Sequence, residues 1–326
     1  MTVHSHPKHG SEFDVSHQVN ITRPEEVSQY VSSLYVETYG NSESVFKIVS
    51  AFNDFVRLYT GAFEGYRACD TQYHDIQHSL DVTLAMARLM NGYERHHRTQ
   101  RLGKERFLLG IVIALFHDAG YIRSRNDHYA RNGAVYTLTH VTRSGEFLKK
   151  YLPSLGLGSL CQLASVLVHF TGYELDIDQL EVEDPRDRKI GELLGTADLI
   201  AQMSDRCYLE KCRDRLYREF EMCGLAGDHG SSHTPVFRSP EDLLAKTPDF
   251  YRTSVQRRLT KNFTRAFRFM NIHFEGSNPY MEAIDRNIRH LESMNEAGDY
   301  SRLRRQPPQT CCPNNSTPET SSLAQA

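Results

Sequence analysis

Tyr73-His74-Asp75-Ile76-Gln77-His78-Ser79-Leu80-Asp81-Val82 is the stretch whose reading decides the fold. His74 and His78 stand four apart, and Leu80, Leu84, Met86, Ala87, Leu89 and Met90 follow with helical rather than alternating spacing. On a helix, side chains four apart lie one above the other, with Cβ atoms about 5–6 Å apart. Two imidazoles can then enter one pocket from a single turn, and the chemistry-bearing residues downstream read as partners for this pair.

The same periodicity extends outward on both sides. Towards the N-terminus, Pro24 suits a first helical turn, and Val27, Tyr30, Val31, Leu34 and Tyr35 form one apolar face. Val45, Phe46, Val49, Phe52, Phe55, Val56 and Tyr59 repeat the pattern before Gly61 and Gly65 break it. The opening stretch predicts a helix over 77–92, closed by Asn91-Gly92, and the charged segment 94–106 predicts a loop. Phe107 to Phe116 is apolar all round, so it predicts a buried central helix that delivers His117-Asp118 at its end, with Gly120 as the stop. Further helices are predicted over 128–151, 159–170, 188–203, 205–222, 248–273 and 279–295, with loops at 176–189 and 224–240. No alternating strand pattern and no solenoid-length repeat is found. The expectation is an all-α, multi-helix bundle: one domain over 21–297, a disordered tail over 1–20 carrying His4, His6, His9 and His17, and a second over 298–326.

Composition excludes several classes. With 38 Lys and Arg against 41 Asp and Glu, the net charge is −3, and no global basic field argues for a nucleic-acid duplex. The seven cysteines are odd in number and scattered, and Cys207, Cys212 and Cys223 lack zinc-finger spacing, so they read as reduced thiols of a cytoplasmic protein. The longest apolar run, Phe107 to Phe116, is too short to cross a bilayer. MTVHSHPKHG at the start lacks the apolar core of a signal peptide.

His78, His117, Asp118, His140, His169 and Asp198 each sit in, or close, an apolar helical pattern. Buried charge is costly unless paired or bound to a metal. Imidazole and carboxylate together are the ligands of borderline and hard divalent ions, and no cysteine joins them. In the adjacent pair His117-Asp118, imidazole offers one lone pair to one ion, whereas a carboxylate can bridge two.

At this point the chain resembles a known superfamily. The order His78, His117-Asp118, Asp198 resembles the HD-domain superfamily of metal-dependent phosphohydrolases. YHDIQHSLDVT (73–83) is similar to the YHNxxHAxDVT segment of class I cyclic nucleotide phosphodiesterases, and TADLIAQM (196–203) to their ADLSNP segment. The resemblance covers about residues 66–222. It implies a phosphodiester hydrolase, acting on a cyclic nucleotide or related small phosphate ester, that uses two divalent metal ions, with Mn, Fe, Zn, Ni and Mg not distinguished. His78, His117, Asp118 and Asp198 would hold one ion, Asp118 would bridge to the second, and a bridging hydroxide would attack phosphorus. His74 would be the general acid for the leaving oxygen, and Asp81 would orient an imidazole from behind. The spacing of His140 and His169 resembles that of second-metal histidines in binuclear HD proteins, a substrate contact or a core hydrogen bond being the other readings. Arg143 and Tyr173 are candidates for substrate contacts.

Two departures accompany the resemblance. The family's HDxxHPG is replaced by His117-Asp118-Ala119-Gly120-Tyr121-Ile122-Arg123, and no glutamine stands in a purine-gripping context, Gln256 included. A similar ligand set serves HD-type di-iron oxygenases, and a nucleotide-sensing HD module without catalysis is the third reading. A homodimer through an outer helix is an arrangement the sequence leaves open.

Overall fold

A computed structural model describes residues 10–41, 43–97, 99–227 and 235–309, and among these all regular structure is helical, with only isolated backbone bridges between extended residues. The all-α expectation holds. The first two helices, α1 (Pro24–Tyr39) and α2 (Glu43–Tyr59), begin where the sequence places them, α1 with Pro24 in its first turn. α3 (Ile76–His96) carries the opening stretch, and α4 (Lys104–Phe116) is buried from Phe107 to Phe116. The first histidine of α5 (His140–Tyr151) starts that helix, and α6 (Cys161–Leu167) follows it. The long α7 (Pro185–Ser204) is followed by α8 (Tyr208–Lys211), α9 (Tyr217–Met222), α10 (Pro240–Phe250), α11 (Phe269–His273) and α12 (Pro279–Ala297).

The packing centre is α3. It is buried along almost its whole length and lies against α1, α4, α7 and α11, while α12 backs α7. Such all-round burial encloses its polar residues, Asp81, Arg88, Asn91 and Glu94 among them, together with its apolar ones. Gly92 permits the closest approach: a Cβ there would stand 2.0 Å from the Phe269 carbonyl oxygen of α11. α3, α4 and α7 pack pairwise against one another, and this trio positions the candidate site.

Several helix bounds differ from expectation: α3 runs past the expected stop at Asn91-Gly92 to His96, and α4 starts at Lys104 and α7 at Pro185, each inside a stretch expected to be loop. Three further differences have a local reason. The predicted helix over 128–151 starts only at His140. Ahead of it, Asp127 accepts the amides of Tyr129 and Ala130, and Asn132 accepts that of Ala134. Such side-chain turns compete with helix. The segment expected as a helix over 205–222 is helical from Tyr208 to Met222, with a wider π-helical stretch over Cys212–Leu216 joining α8 to α9. The segment 248–273 is divided at Thr264 and Arg265, both at positive φ.

The tails also differ. From residue 10 the expected N-terminal tail is laid on the body: Asp14 accepts the amides of Ser16, Gln18 and Val19, and Val19 and Ile21 are buried. At the other end Leu303 is buried, and Arg215 donates to the Pro308 carbonyl. The described fold therefore reaches beyond 21–297 in both directions. His4, His6, His9, Cys311 and Cys312 lie outside the described residues. No helix among the described residues is long and apolar enough to cross a membrane.

Candidate metal centre

Asp75 caps α3 by accepting the His78 amide at 2.9 Å. His74 thus stands just outside the helix and His78 in its first turn. α4 ends at Phe116 with His117 as its cap, and the turn that follows sets Asp118 beside His78 of α3. The turn after it, Ala119–Tyr121, lies hard against the start of α5: a Cβ on Gly120 would stand 1.9 Å from the His140 carbonyl oxygen. Ser144 Oγ accepts the Gly120 amide at 2.9 Å and donates to the His140 carbonyl at 2.9 Å. α7 supplies Asp198 from the opposite side.

The donors converge. His78 Nε2 is 3.4 Å from Asp118 Oδ2 and 3.4 Å from Asp198 Oδ1. His117 Nε2 is 3.3 Å from Asp118 Oδ2 and 3.8 Å from Asp198 Oδ1. His140 Nε2 is 3.6 Å from the other oxygen, Asp118 Oδ1. Donor atoms of His78, His117 and Asp118 all lie within 4.8 Å of one another, and these residues are buried.

The tautomers matter. A carbonyl can only accept, so His117 Nδ1–H donates to Ala114 O at 2.8 Å, and His140 Nδ1–H to Thr137 O at 2.7 Å. In the neutral rings the Nε2 lone pairs then face carboxylate oxygens, acceptor against acceptor. His117 Nε2 and Asp118 Oδ2 are both buried without a hydrogen-bond partner. Buried polar groups are rarely left so. A cation between them resolves the conflict, and the donor set, imidazole with carboxylate, suits a divalent metal. Among the protein groups alone, burial opposes charge on both partners, yet Asp118 lifts His117 to about 9, and the surrounding histidines hold Asp118 well below the usual carboxylate range. Positive charge is what this position favours. His140 goes the other way, its pKa lowered chiefly by burial, which keeps a lone pair available.

His74 lies beside this cluster. Its ring stacks on Tyr121 at 4.4 Å, and Tyr121 stacks on His140 at 4.3 Å, a three-ring sandwich. Its Nδ1 lies 2.6 Å from Glu219 Oε2, while Glu219 Oε1 accepts the Tyr73 amide at 2.6 Å. Burial disfavours the charged imidazole, but the Glu219 carboxylate outweighs it and raises the His74 pKa above 6.5. Glu219 escaped the sequence reading. The signal was present: Cys212, Leu216 and Glu219 share one stripe of an otherwise charged segment, and Glu219 is buried on it.

Other expected residues are placed differently. His169 hydrogen-bonds through Nδ1 to Glu174 Oε1 at 2.7 Å, and it is Glu174, with Tyr173, that lines the cavity over the cluster. Asp81 orients no imidazole: its Oδ1 is buried without a hydrogen-bond partner, and burial with nearby acidic charge raises its pKa well above the usual range. The backbone carbonyls of Ala114 and Thr137 take the orienting role instead. Arg143, a candidate for a substrate contact, is not among the residues that line the cavity. Its Nε donates to Gly120 O at 2.6 Å and its guanidinium lies 3.6 Å from the Tyr136 ring centroid, so it braces the turn after Asp118. Arg123 is likewise held, by Asp70 at 2.6 Å.

The family model described as Npun_R2479-like matches residues 19–145 and 132–293, which together span the helical body. No curated protein and no solved structure matches the chain.

Proposed function

The chain belongs to the Npun_R2479-like family, and from that premise and the donor cluster we propose that it is a metal-dependent phosphohydrolase that cleaves phosphodiesters. One observation carries the reading: imidazole lone pairs and carboxylate oxygens from α3, α4, α5 and α7 face one another at 3.3–3.8 Å. Neither His117 Nε2 nor Asp118 Oδ2 has a hydrogen-bond partner. His78, His117, Asp118 and Asp198 would hold one divalent ion. Asp118 and His140 would hold a second. Such ions supply an acidified water near neutral pH and neutralise phosphoryl oxygens.

The chain's own residues supply the rest. Glu219 accepts Nδ1–H of His74, which leaves Nε2 as the free end of the ring beside the cluster. Once that nitrogen is protonated it can donate to the departing alkoxide as general acid. The Glu219 charge favours the protonated ring near neutral pH. Tyr121, fully buried between the His74 and His140 rings, fixes the spacing of the acid from the metal-side histidine. The ordered resemblance to HD-domain phosphohydrolases supports the same assignment of roles.

The test is metal content together with hydrolysis of bis(p-nitrophenyl) phosphate in added manganese. Asp118→Asn is expected to lose the metal and the turnover together. His74→Ala should keep the metal and lose turnover, least for esters with good leaving groups. Iron with oxygen-dependent turnover and no hydrolysis overturns the phosphohydrolase in favour of an oxygenase, and no metal after reconstitution overturns the site.

A further inference from the structure

The cavity above the donor cluster encloses about 430 Å3, and its walls away from the cluster are apolar: Leu138, Tyr208, Leu216, Phe220, Leu243 and Phe250. Six polar side chains among the lining residues are already engaged. Thr137, Thr171 and Thr247 each donate their hydroxyl to a carbonyl of their own turn, at 2.7, 2.8 and 2.9 Å. Gln202, the amide best placed to read a base edge, accepts from Tyr73 at 3.2 Å and donates to Asp198 at 3.5 Å. Lys246 is the lining residue with a cationic chain, and it is held by Asp242 at 2.8 Å and the Val236 carbonyl at 2.7 Å. Glu174 is tied to His169. Among the described residues no arginine lines the cavity.

Three large apolar lining residues remain open to solvent: Leu138 at 63%, Tyr173 at 56% and Phe250 at 42%. The Tyr173 and Phe250 rings stand 5.9 Å apart. Apolar surface left open at a cavity marks a ligand-binding region rather than a packing remnant. We infer that the substrate carries one anionic phosphoryl end for the donor cluster and an apolar alkyl or aryl body for these walls, and that a nucleoside is not its preferred organic group. The identity of the reacting end rests on the proposed phosphodiesterase activity; the apolar body rests on the cavity.

Alkyl p-nitrophenyl phosphates test this with the leaving group held constant. Each methylene buried is worth about two- to fourfold. From methyl to hexyl, with five methylenes added, kcat/KM is therefore expected to rise roughly thirtyfold or more. Thymidine 5′-(p-nitrophenyl) phosphate should do no better than the methyl ester. Phe250→Ser, at an exposed position the fold tolerates, should lower the hexyl-to-methyl ratio. A flat chain-length series, or a preference for the thymidine ester, overturns the inference while leaving the hydrolase reading intact. If no ester is turned over, calorimetry of the metal-loaded protein with methyl- and hexylphosphonate decides. Tighter binding of the hexyl compound sustains the apolar body without the hydrolase, and equal affinity overturns the inference.

Discussion

Glu219 stands 145 positions from His74 in the chain, yet their side chains meet at 2.6 Å. The consequence is a pH dependence with a definite sign. A general acid must be protonated, so turnover falls as pH rises through the His74 pKa. Burial depresses that pKa, and the Glu219 charge overcomes burial to raise it. Glu219→Gln keeps an oxygen for the Nδ1–H but removes the charge, so the alkaline limb of the pH–kcat profile should move to lower pH. At neutral pH the rate on poor leaving groups should fall roughly tenfold or more, the order expected for weakened general-acid catalysis. Metal content should be unchanged. A limb that stays in place, with equal losses on good and poor leaving groups, would assign Glu219 a merely structural role.

At the scale of elements, the decisive contact is between the turn after α4 and the first residue of α5. Gly120→Ala places a methyl 1.9 Å from the His140 carbonyl oxygen, and neither backbone segment is free to move, because Arg143 and Ser144 staple both. Overpacking of this kind costs about 1–3 kcal/mol. The prediction is a lower Tm together with weaker metal binding, since the shift separates Asp118 from His140; unchanged metal affinity would show that the turn is not what sets the site. Much of this arrangement was legible in the sequence. Periodicity shows α3 and α4, and His78, His117, Asp118, Asp198 and His140 stand out because each sits in, or closes, an apolar helical pattern, where burial leaves charge little alternative to a partner. What was not legible is contact across the chain. Arg143 reads as a phosphate contact until Gly120 and Tyr136 are seen to occupy it, and Asp81 reads as a helper of His78 until burial is seen to leave it near Asp205 and Asp14. Nor does periodicity reveal Asp127 and Asn132 capturing amides ahead of α5, which is why that helix was expected a dozen residues early.

For the whole molecule, the N-terminal segment, α1 and the start of α12 close over α3 through one charged residue. Arg88 is completely buried; it donates to Asp14 at 2.7 Å and to the Tyr280 hydroxyl at 2.8 Å, and it lies within 5.2 Å of the Tyr30 and Phe274 ring centroids. Removing one partner of a buried pair costs about 3–5 kcal/mol, because the other charge is left uncompensated. Asp14→Ala should therefore destabilise the protein by that order in urea unfolding, although the sequence places residue 14 in an expected tail. Arg88 also governs His273, which hydrogen-bonds Asn91 at 2.9 Å. Burial first, then the Arg88 and Arg95 charges, lower the His273 pKa to about 3. Its neutral form is the folded form, so the unfolded chain takes up the proton first. The stability this histidine contributes is fully present above pH about 6.5, the unfolded value, and is lost as pH falls towards 3. Asp14, whose burial opposes ionisation but whose pairing with Arg88 lowers its pKa overall, adds a second loss only below pH about 4. Between pH 6 and 4.5 the two are separable. The stability difference between wild type and His273→Gln should narrow by up to about 1.4 kcal/mol per pH unit in that window. An equal slope in both proteins would mean that His273 takes up its proton in the folded state, and that the closure over α3 is open enough to admit the charge.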